Sequence, residues 1–513
     1  MVIGLVSPIG TDLERATQLL EEELHQYGYG TEIVRLSRLL EKALGEELSD
    51  SADNEKYYES RMGAGDRLRR QYGNDAVAGY AIAEILERRD RMGFEGHSQR
   101  VAWILWSLKH EEEVDLLRAT YGSRFVLLGL NAPVEKRRTR LRGELQDADP
   151  GSGGLEAEVA RLIERDQLDP DRPYGQHVRD AYCRADYFAE LEVGSVREEL
   201  GRFVGLIFGK PFITPTKDEA AMFLAFASSL RSSDAGRQVG AVIASEVGEV
   251  LAVGCNEVPK AGGGEYWSDD LTDNRDFQLG YDFNKRATRR ALREVLDALS
   301  HSGHLSDRMK KELSEDRLEV ALSEDKDGRL KNSRVLSLIE FGRIVHAEMS
   351  AITQAARGST SIRGAILYTT AYPCHMCMRL IISSGVSRIV YVDPYPKSLA
   401  EDMYATELAH AVHGQTVGVS VEPFVGTSWT IYPQVFRSIN RDRLQDGRFD
   451  SWSPAASRMR LADADPIGVA QETELQIPIA LELRSDTGDV LETVGGLVHS
   501  KTEDEPTGED GVG

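Results

Sequence analysis

Residues that commonly bind metals stand in two short groups of this sequence. The first is His346-Ala347-Glu348, and the second is Pro373-Cys374-His375-Met376-Cys377. Each group opens a predicted helix, over 345–356 and 374–384. Two cysteines three positions apart at a helix start lie on one face, where the helix dipole favours their thiolate forms. Together with His346 they give three zinc ligands and leave a fourth position for water, which is the composition of a catalytic zinc site.

Glu348 follows His346 by two residues and lies beside the place of that water. Zinc lowers the pKa of a bound water, and a nearby carboxylate can take its proton and return it to a leaving group. A structural zinc site would need a fourth protein ligand, and the spare residue, His375, points elsewhere on its helix. A redox C-x-x-C would leave His346 and Glu348 unexplained. We therefore predict Zn²⁺ as the cofactor, bound by His346, Cys374 and Cys377, with Glu348 as the catalytic residue.

The first 208 residues alternate between strand-like and helix-like segments. Apolar strands are predicted over 1–6, 31–36, 101–106, 124–129 and 187–191. This alternation predicts an α/β domain over 1–208 with a parallel sheet and helices on both of its faces. The segment 209–215, with Gly209, Pro211 and Pro215, is the predicted boundary.

A second domain is predicted over 214–440. It begins with a capping box of Thr216 and Glu219, which opens a helix. A hairpin over 239–254 follows, and a strand over 365–370 separates the two helices that carry the metal-binding residues. A charged insertion over 260–342 interrupts this domain, with helices predicted at 285–299 and 305–322. Residues 441–513 are predicted to form a polar extension with a disordered tail.

The H-x-E…P-C-x-x-C pattern is recognised as the signature of zinc-dependent nucleobase deaminases. With the hairpin segments 238–243 and 254–259, it makes residues 214–430 resemble the deoxycytidylate deaminases. The resemblance implies the cytidine-deaminase fold, an α/β/α sandwich, and assembly into a homo-oligomer. It also implies that His346, Cys374 and Cys377 hold zinc and that Glu348 shuttles protons. Asn256 matches an asparagine that contacts the substrate sugar, and its alternative role is that of a turn residue after a strand.

The combination of this segment with a nucleotide-kinase-like N-terminal domain resembles the bacterial anti-phage dCTP deaminases. The resemblance includes Glu340-Phe341-Gly342-Arg343 and Pro394-Tyr395-Pro396-Lys397-Ser398. It implies hydrolytic conversion of dCTP, dCMP or both to the deoxyuridine nucleotides, which depletes the nucleotide pool during infection. Some members are held silent by a small RNA, which gives a candidate inhibitor. Lys397 is a candidate phosphate contact, with a solvated loop lysine as the alternative.

The N-terminal strand leads into a loop that occupies the place of a phosphate-binding loop (P-loop). The segment from Gly4 through Gly10 and Thr11 to Asp12 departs from that pattern, because Thr11 stands where the lysine belongs and Gly4 comes one residue early. Phosphoryl transfer is therefore not expected. Backbone N–H groups at the helix start can still hold an anion, so Gly4, Gly10 and Thr11 are candidates for binding a regulatory nucleotide. A purely structural turn is the alternative.

The chain carries a formal net charge of −23, which favours a free nucleotide over a polynucleotide as substrate. No apolar run approaches the roughly 18 residues that span a bilayer, and the N-terminus resembles a buried strand rather than a signal peptide. We therefore expect a cytoplasmic protein without membrane contact. Two other functions stay open: an RNA- or DNA-editing cytidine or adenosine deaminase, which shares the metal-binding pattern, and a non-catalytic nucleotide sensor.

Overall fold

The computed structural model describes residues 1–48, 54–93, 100–148, 155–167, 174–191, 194, 196–314, 338–393, 398–410, 418–437, 448 and 451–460. The chain divides into two compact units. Unit 1 comprises Met1–Phe223, Val392–Lys397 and Pro423–Gly513, and unit 2 comprises Leu224–Tyr391 and Ser398–Glu422. Lys397 and the predicted disordered tail lie outside the described residues, so those predictions stay as they were made. The predicted domain limits at 208, 214 and 440 likewise stay predictions.

Unit 1 is built on a six-stranded sheet. Its strands are β1 (Val2–Val6), β2 (Gly30–Arg35), β3 (Val101–Trp106), β4 (Phe125–Asn131), β5 (Tyr187–Glu190) and β12 (Gly426–Thr427). The order is β12-β5-β4-β1-β3-β2, in which β1 to β5 are parallel and β12 is antiparallel at the edge. β1 and β4 are buried along their whole length, which explains why they read as continuous apolar runs. All five predicted strands are confirmed.

Helices connect these strands. They are α1 (Leu13–Gln26), α2 (Leu36–Leu44), α3 (Asn54–Tyr72), α4 (Ala76–Arg91), α5 (Glu111–Tyr121), α6 (Val134–Ala148), α7 (Leu155–Gln167), α8 (Val178–Tyr182) and α9 (Val196–Ile207). The short helix α17 (Tyr432–Phe436) also belongs to this unit. Leu20 and Leu24 of α1 pack with Phe203 of α9 and with strand residues such as Ile3 and Val126 in one core. The central strands are thereby removed from water, which is the main stabilisation of a parallel sheet.

Unit 2 contains a second sheet of six strands. They are β6 (Gly240–Ala244), β7 (Val250–Cys255), β8 (Ile366–Thr369), β9 (Arg388–Tyr391), β10 (Leu408–His410) and β11 (Val419–Pro423), in the order β10-β11-β9-β8-β6-β7. Its helices are α11 (Asp276–Leu279), α12 (Phe283–His301), α13 (Asp307–Ser314), α14 (Ala347–Arg357), α15 (His375–Ser384) and α16 (Ala400–Met403). The helix α10 (Lys217–Ser229) crosses from unit 1 into unit 2. The β6–β7 pair is antiparallel and β8–β9 is parallel, so the sheet is mixed.

Two glycines let helices approach this sheet on opposite faces. A Cβ on Gly240 would lie 1.8 Å from the Ala225 carbonyl oxygen of α10, and one on Gly254 would lie 2.2 Å from the Ala347 carbonyl oxygen of α14. Gly254 pairs with Ala241 and therefore faces the side opposite to Gly240. The sheet is thus covered by α10 on one face and α14 on the other, which confirms the predicted α/β/α layering and, with the parallel sheet of unit 1, the predicted α/β fold class.

The capping box of α10 is confirmed, but the predicted inward face of that helix is wrong. The Thr216 amide donates to Glu219 at 2.7 Å, and the Glu219 amide donates to the Thr216 hydroxyl at 3.1 Å. The apolar spacing of the sequence predicts that Ala220, Phe223, Leu224, Ala227 and Leu230 form this face, but Leu224 and Leu230 are 41% and 59% exposed. Ala225 faces β6 instead, because the close approach at Gly240 leaves room only for small side chains.

Among the described residues, no helix combines the length and apolarity that a membrane crossing requires.

The contact between Gly254 and α14 yields the first prediction. Gly254→Ala forces the α14 backbone away from β7, so we expect a loss of about 1–3 kcal/mol in the free energy of unfolding, as is typical of overpacking. Denaturant unfolding and zinc content measure the effect, since α14 carries His346 at its start. Gly143→Ala is the control, because a Cβ there meets no atom within 4 Å. Equal stability of the two variants would contradict the prediction.

Candidate active site

Two helix N-termini bring the metal-binding residues together. His346 is the N-cap of α14 and Cys374 is the N-cap of α15, and both have extended backbone conformations. Cys377 lies three residues further along, in the first turn of α15, and is fully buried. Gly385 ends α15 in a left-handed conformation with φ of +80°.

The ligand atoms of these three residues have the spacing of a tetrahedral metal site. The His346 Nδ1 atom is 3.3 Å from the Cys374 sulfur and 3.4 Å from the Cys377 sulfur, and all three atoms lie within 4.8 Å of one another. Zn–N bonds of about 2.0 Å and Zn–S bonds of about 2.3 Å separate N and S by roughly 3.6 Å around a tetrahedral ion. The donor set therefore fits zinc to within a few tenths of an ångström.

Hydrogen bonds couple the protonation of these three donors. The hydrogen bond with Cys377, assisted by His346, lowers the pKa of the Cys374 thiol to about 4. The bond to Cys374 raises the pKa of His346, and it raises that of Cys377. A bound metal would replace these protons, because it requires neutral imidazole and thiolate ligands.

Glu348 is held next to this group in a desolvated position. The residue is 4% exposed, and the Cys377 thiol donates to its Oε2 atom at 3.3 Å. Burial raises the pKa of Glu348, because the charged carboxylate has lost its water. A carboxyl group with a raised pKa exchanges protons near neutrality more readily than an ordinary surface glutamate does.

A cavity of about 800 Å³ opens onto these residues. Its wall includes His346, Glu348 and Cys374, and also the loop that precedes β6. The remaining wall comes largely from the segment predicted as an insertion, with Asp276, Phe277, Gly280, Tyr281, Asp282, Asn284, Ile339 and Gly342. The volume lies in the usual range for small-molecule sites, roughly 300–1,000 Å³.

This segment has known counterparts. Residues 215–393 match the family model of the cytidine and deoxycytidylate deaminase zinc-binding region. The match includes both helix starts and the β6–β7 hairpin, and we call these residues the deaminase-like segment. With the His346, Cys374 and Cys377 group that could hold a metal ion, it confirms zinc as the cofactor.

Individual relatives cover only parts of the chain. The deoxycytidylate deaminase of Enterobacteria phage T2 is 44% identical over 54 residues, which are 10% of this chain and 29% of the phage protein. The matching piece thus spans less than a third of that relative's length.

Two solved structures share features with the chain at lower identity. A cyanophage S-TIM5 dCMP deaminase in complex with dCMP and dUMP is 20% identical with a TM-score of 0.22, and the match covers 42% of this chain and 100% of that one. A shikimate kinase from Acinetobacter baumannii, in complex with shikimate, is 15% identical with a TM-score of 0.24, covering 41% and 95%.

Asn256 of the deaminase-like segment lies on the cavity wall, and its side chain organises a loop. Its Oδ1 atom accepts the Val239 amide at 2.7 Å, and its Nδ2 atom donates to Asp234 at 3.0 Å and to the Arg237 carbonyl at 2.7 Å. Both N–H groups are therefore used, and only a lone pair on Oδ1 remains for another partner. Its predicted contact with the substrate sugar stays a prediction.

Sequence reasoning missed the loop over 233–237 with Arg237, and it named Arg343 within a motif without giving it a place on the cavity wall. Arg237 is exposed in that loop. Arg343 is engaged, since it pairs with Asp276 at 2.7 Å and donates to the Asn274 carbonyl at 3.0 Å. Hydrophobic periodicity cannot reveal such residues, because they stand in irregular segments. His375 lies 3.7 Å from Glu340 and outside the metal-binding group, as predicted.

In the predicted anion-binding loop of unit 1, the Ile9 amide and the Thr11 hydroxyl already have hydrogen-bond partners within the chain. The Ile9 amide donates to Asp166 at 2.8 Å, and the Thr11 hydroxyl donates to the Pro8 carbonyl at 2.7 Å. Gly4 lies inside β1, where a Cβ would come within 2.6 Å of Leu108, so its small size serves packing. Gly10 has a φ of +82° and makes the turn. Binding of a nucleotide by Gly4, Gly10 and Thr11 stays a prediction.

A second group of metal-binding residue types, His110, Glu111 and His177, does not suit a metal. The two imidazole rings are stacked with centroids 4.5 Å apart and planes 22° apart. An ion must lie near the plane of each ring that ligates it, and nearly parallel planes at this separation do not meet within bonding distance. The Glu111 carboxylate instead raises the pKa of His177 through a hydrogen bond.

Removal of one zinc ligand gives the second prediction. We expect Cys377→Ser to weaken zinc binding by more than the roughly 10–100-fold that loss of an outer-shell partner typically costs, because serine does not provide a thiolate. Metal analysis after dialysis against a graded chelator series measures the loss. Cys183→Ser is the control, since Cys183 lies outside the metal-binding group. Unchanged zinc content in Cys377→Ser would refute the ligand assignment.

Proposed function

We propose that this chain hydrolytically deaminates deoxycytidine nucleotides, converting dCTP, dCMP or both to the deoxyuridine nucleotides. The proposal assigns zinc to His346, Cys374 and Cys377 and proton transfer to Glu348. The observation that carries it is the buried Glu348 carboxyl group beside this ligand set, at the wall of a cavity of nucleotide size.

Each residue has a defined task in this reaction. Zinc held by the three ligands supplies Lewis-acid activation of water. Glu348 takes the proton of the attacking water, passes it to the ring nitrogen N3, and later protonates the departing ammonia. The Cys377 thiol donates to Oε2 at 3.3 Å. As a zinc ligand it would be a thiolate, which would leave Oε2 of Glu348 available for the proton of the attacking water. Burial of Glu348 excludes bulk water as a competing proton acceptor.

A free nucleotide suits this chain better than a polynucleotide. A protein that follows a phosphate backbone presents a row of lysines and arginines, whereas this chain has 84 acidic and 61 basic residues. The cavity wall shows the same bias, with the arginines Arg237 and Arg343 against the carboxylates of Asp234, Glu257, Asp276, Asp282 and Glu348. We therefore place an editing activity on RNA or DNA second.

Arg237 is the residue we assign to the substrate phosphate. It is exposed on the cavity wall, while Arg343 is bound by Asp276. A guanidinium can grip a phosphate through two parallel hydrogen bonds. Lys397 and the sugar contact of Asn256 remain parts of the same proposal.

The cellular role we propose is depletion of the deoxycytidine nucleotide pool in anti-phage defence. It relies on the resemblance to fused kinase-like and deaminase chains. The same resemblance supports a small RNA inhibitor. We also propose a homo-oligomer from the resemblance to the deoxycytidylate deaminases, a regulatory nucleotide on unit 1 from the loop of Gly10 and Thr11, and a cytoplasmic location.

The decisive experiment compares the full chain with Glu348→Gln on dCMP, dCTP, CTP and a cytidine-containing oligonucleotide. We expect a deoxycytidine nucleotide to be turned over, and we expect Glu348→Gln to lower kcat by about 10²–10⁴-fold, the usual contribution of a general acid–base residue. Product and ammonia release measure turnover, and metal analysis shows whether zinc is retained. Glu294→Gln is the matched control, since that glutamate is exposed on α12.

Each alternative function has its own signature in this experiment. Turnover of the oligonucleotide alone would favour an editing enzyme. No turnover of any substrate by the folded, zinc-loaded chain would favour the sensor. In bacteria under phage infection, nucleotide pools should fall with the unaltered chain and stay constant with Glu348→Gln; protection by both would oppose the depletion role.

Replacement of Arg237 tests the phosphate contact. We expect Arg237→Gln to raise KM for dCMP or dCTP by about 10–100-fold, because a hydrogen bond to a charged group contributes roughly 1.5–3 kcal/mol. The KM for deoxycytidine, which lacks the phosphate, should not change. Arg290→Gln on the exposed side of α12 is the control. An equal effect on nucleoside and nucleotide would assign Arg237 to loop structure instead.

A further inference from the structure

Unit 1 contains a cavity of its own, of about 330 Å³. It lies beside the loop that follows β1, next to the ends of β2 and β3, where ligands of parallel α/β sheets commonly bind. Its wall holds five cationic side chains, Arg35, Arg61, Arg69, Lys109 and Arg140, against the three acidic ones of Glu14, Glu144 and Asp166. In a chain of net charge −23 this is a local excess of positive charge.

The loop side of this cavity already holds an anionic group. The Asp166 carboxylate is fully buried, accepts the Ile9 amide at 2.8 Å and pairs with the Lys109 ammonium at 2.7 Å. This carboxylate therefore occupies the loop N–H group that an incoming phosphate would use. An anionic ligand has to find its donors on another part of the wall.

Arg69 on α3 provides such donors. The residue is 2% exposed, and its Nε and Nη2 atoms donate to one Glu113 oxygen at 3.1 and 2.7 Å. Its Nη1 atom is buried and has no hydrogen-bond partner among the described residues. A buried guanidinium N–H without an acceptor is costly, so this atom is a position where a ligand oxygen would be stabilised.

Gly65 keeps a space open next to this atom. A Cβ on Gly65 would lie 3.2 Å from Arg69 Nη1 and 3.8 Å from the Nε2 atom of Gln176. Both Gly65 and Gln176 line the cavity. Glycine inside a helix is less stabilising than alanine. The space that Gly65 leaves between Arg69 Nη1 and Gln176 Nε2 therefore explains why glycine is present at this position.

The other cations of the wall have partners within the chain. Lys109 pairs with Asp166, Arg140 with Asp12 and Glu144, Arg35 with Glu14, and Arg61 with Glu41. They contribute positive potential, while Arg69 and Gln176 contribute the donors.

We propose that unit 1 binds a small phosphate monoester through Arg69 Nη1 and Gln176 Nε2, in the space next to Gly65. The ligand has the chemistry of a nucleoside monophosphate or a sugar phosphate. The rings of Tyr57 and Trp106 lie on the same wall, and each has an arginine, Arg61 and Arg35, over one face. The site differs from the loop of Gly10 and Thr11, and it does not depend on the deaminase activity of unit 2.

The test compares two alanine variants of the same helix. Gly65→Ala fills the space next to Arg69 Nη1, whereas Gly63→Ala places its Cβ 3.8 Å from Arg67 in ordinary contact. Both replacements favour the helix, and thermal melting of both variants checks that each chain stays folded. Calorimetry with the full chain uses inorganic phosphate, AMP and ribose 5-phosphate as probes, none of which is a deoxycytidine nucleotide.

We expect AMP or ribose 5-phosphate to bind the unaltered chain and Gly63→Ala alike, and to bind Gly65→Ala at least about tenfold more weakly, as for a lost hydrogen bond to a charged group. Gln176→Leu should weaken binding in the same direction. Tighter binding of AMP than of ribose 5-phosphate assigns the site to nucleotides, and equal binding assigns it to sugar phosphates. Equal affinity of Gly65→Ala and Gly63→Ala, or no binding of any probe at millimolar concentration, overturns the proposal.

Discussion

The candidate active site depends on the close contact between α14 and β7 at Gly254. A carbonyl oxygen of the first turn of α14 would lie 2.2 Å from a Cβ at this position, so no residue other than glycine permits the observed distance. His346 and Glu348 lie at the start of α14, and their position relative to Cys374 and Cys377 follows from how deeply this helix is seated. A shift of 1 Å would exceed the tolerance of zinc–ligand bonds. A backbone contact thus sets the accuracy of the metal site.

Much of the fold and of the site follows from local sequence patterns. The five apolar strands of unit 1, the β6–β7 hairpin and both helix starts with metal-binding residues were predictable, because burial and helix capping leave strong local signals. The inward face of α10 was not, since the close approach at Gly240 selects small residues over the larger apolar ones. The wall residues Asp276 and Tyr281 were also missed. Those residues are brought to the cavity by tertiary structure, which no periodicity records.

Each unit buries a carboxyl group, but the surroundings of the two groups differ. In unit 2 the desolvated Glu348 lies beside His346, Cys374 and Cys377, which could bind a metal cation. In unit 1 the buried Asp166 satisfies a loop amide and a lysine that would otherwise attract an anion. An internal carboxylate is thus the partner of the Ile9 amide in the loop where Thr11 stands in place of a P-loop lysine. This contact ties the loop that follows β1 to the end of α7.

The metal-binding residues and much of the cavity wall come from different parts of the sequence, so they can change independently in evolution. The metal-binding helices and the residues 276–284 and 339–343 of the opposite wall are separate stretches of sequence. Substitutions in those stretches can alter which molecules fit without disturbing the reactive centre. Such an arrangement lets ligand selectivity drift under mutation while the chemistry stays constant, so related chains with the same two helix starts can diverge in the compounds they accept.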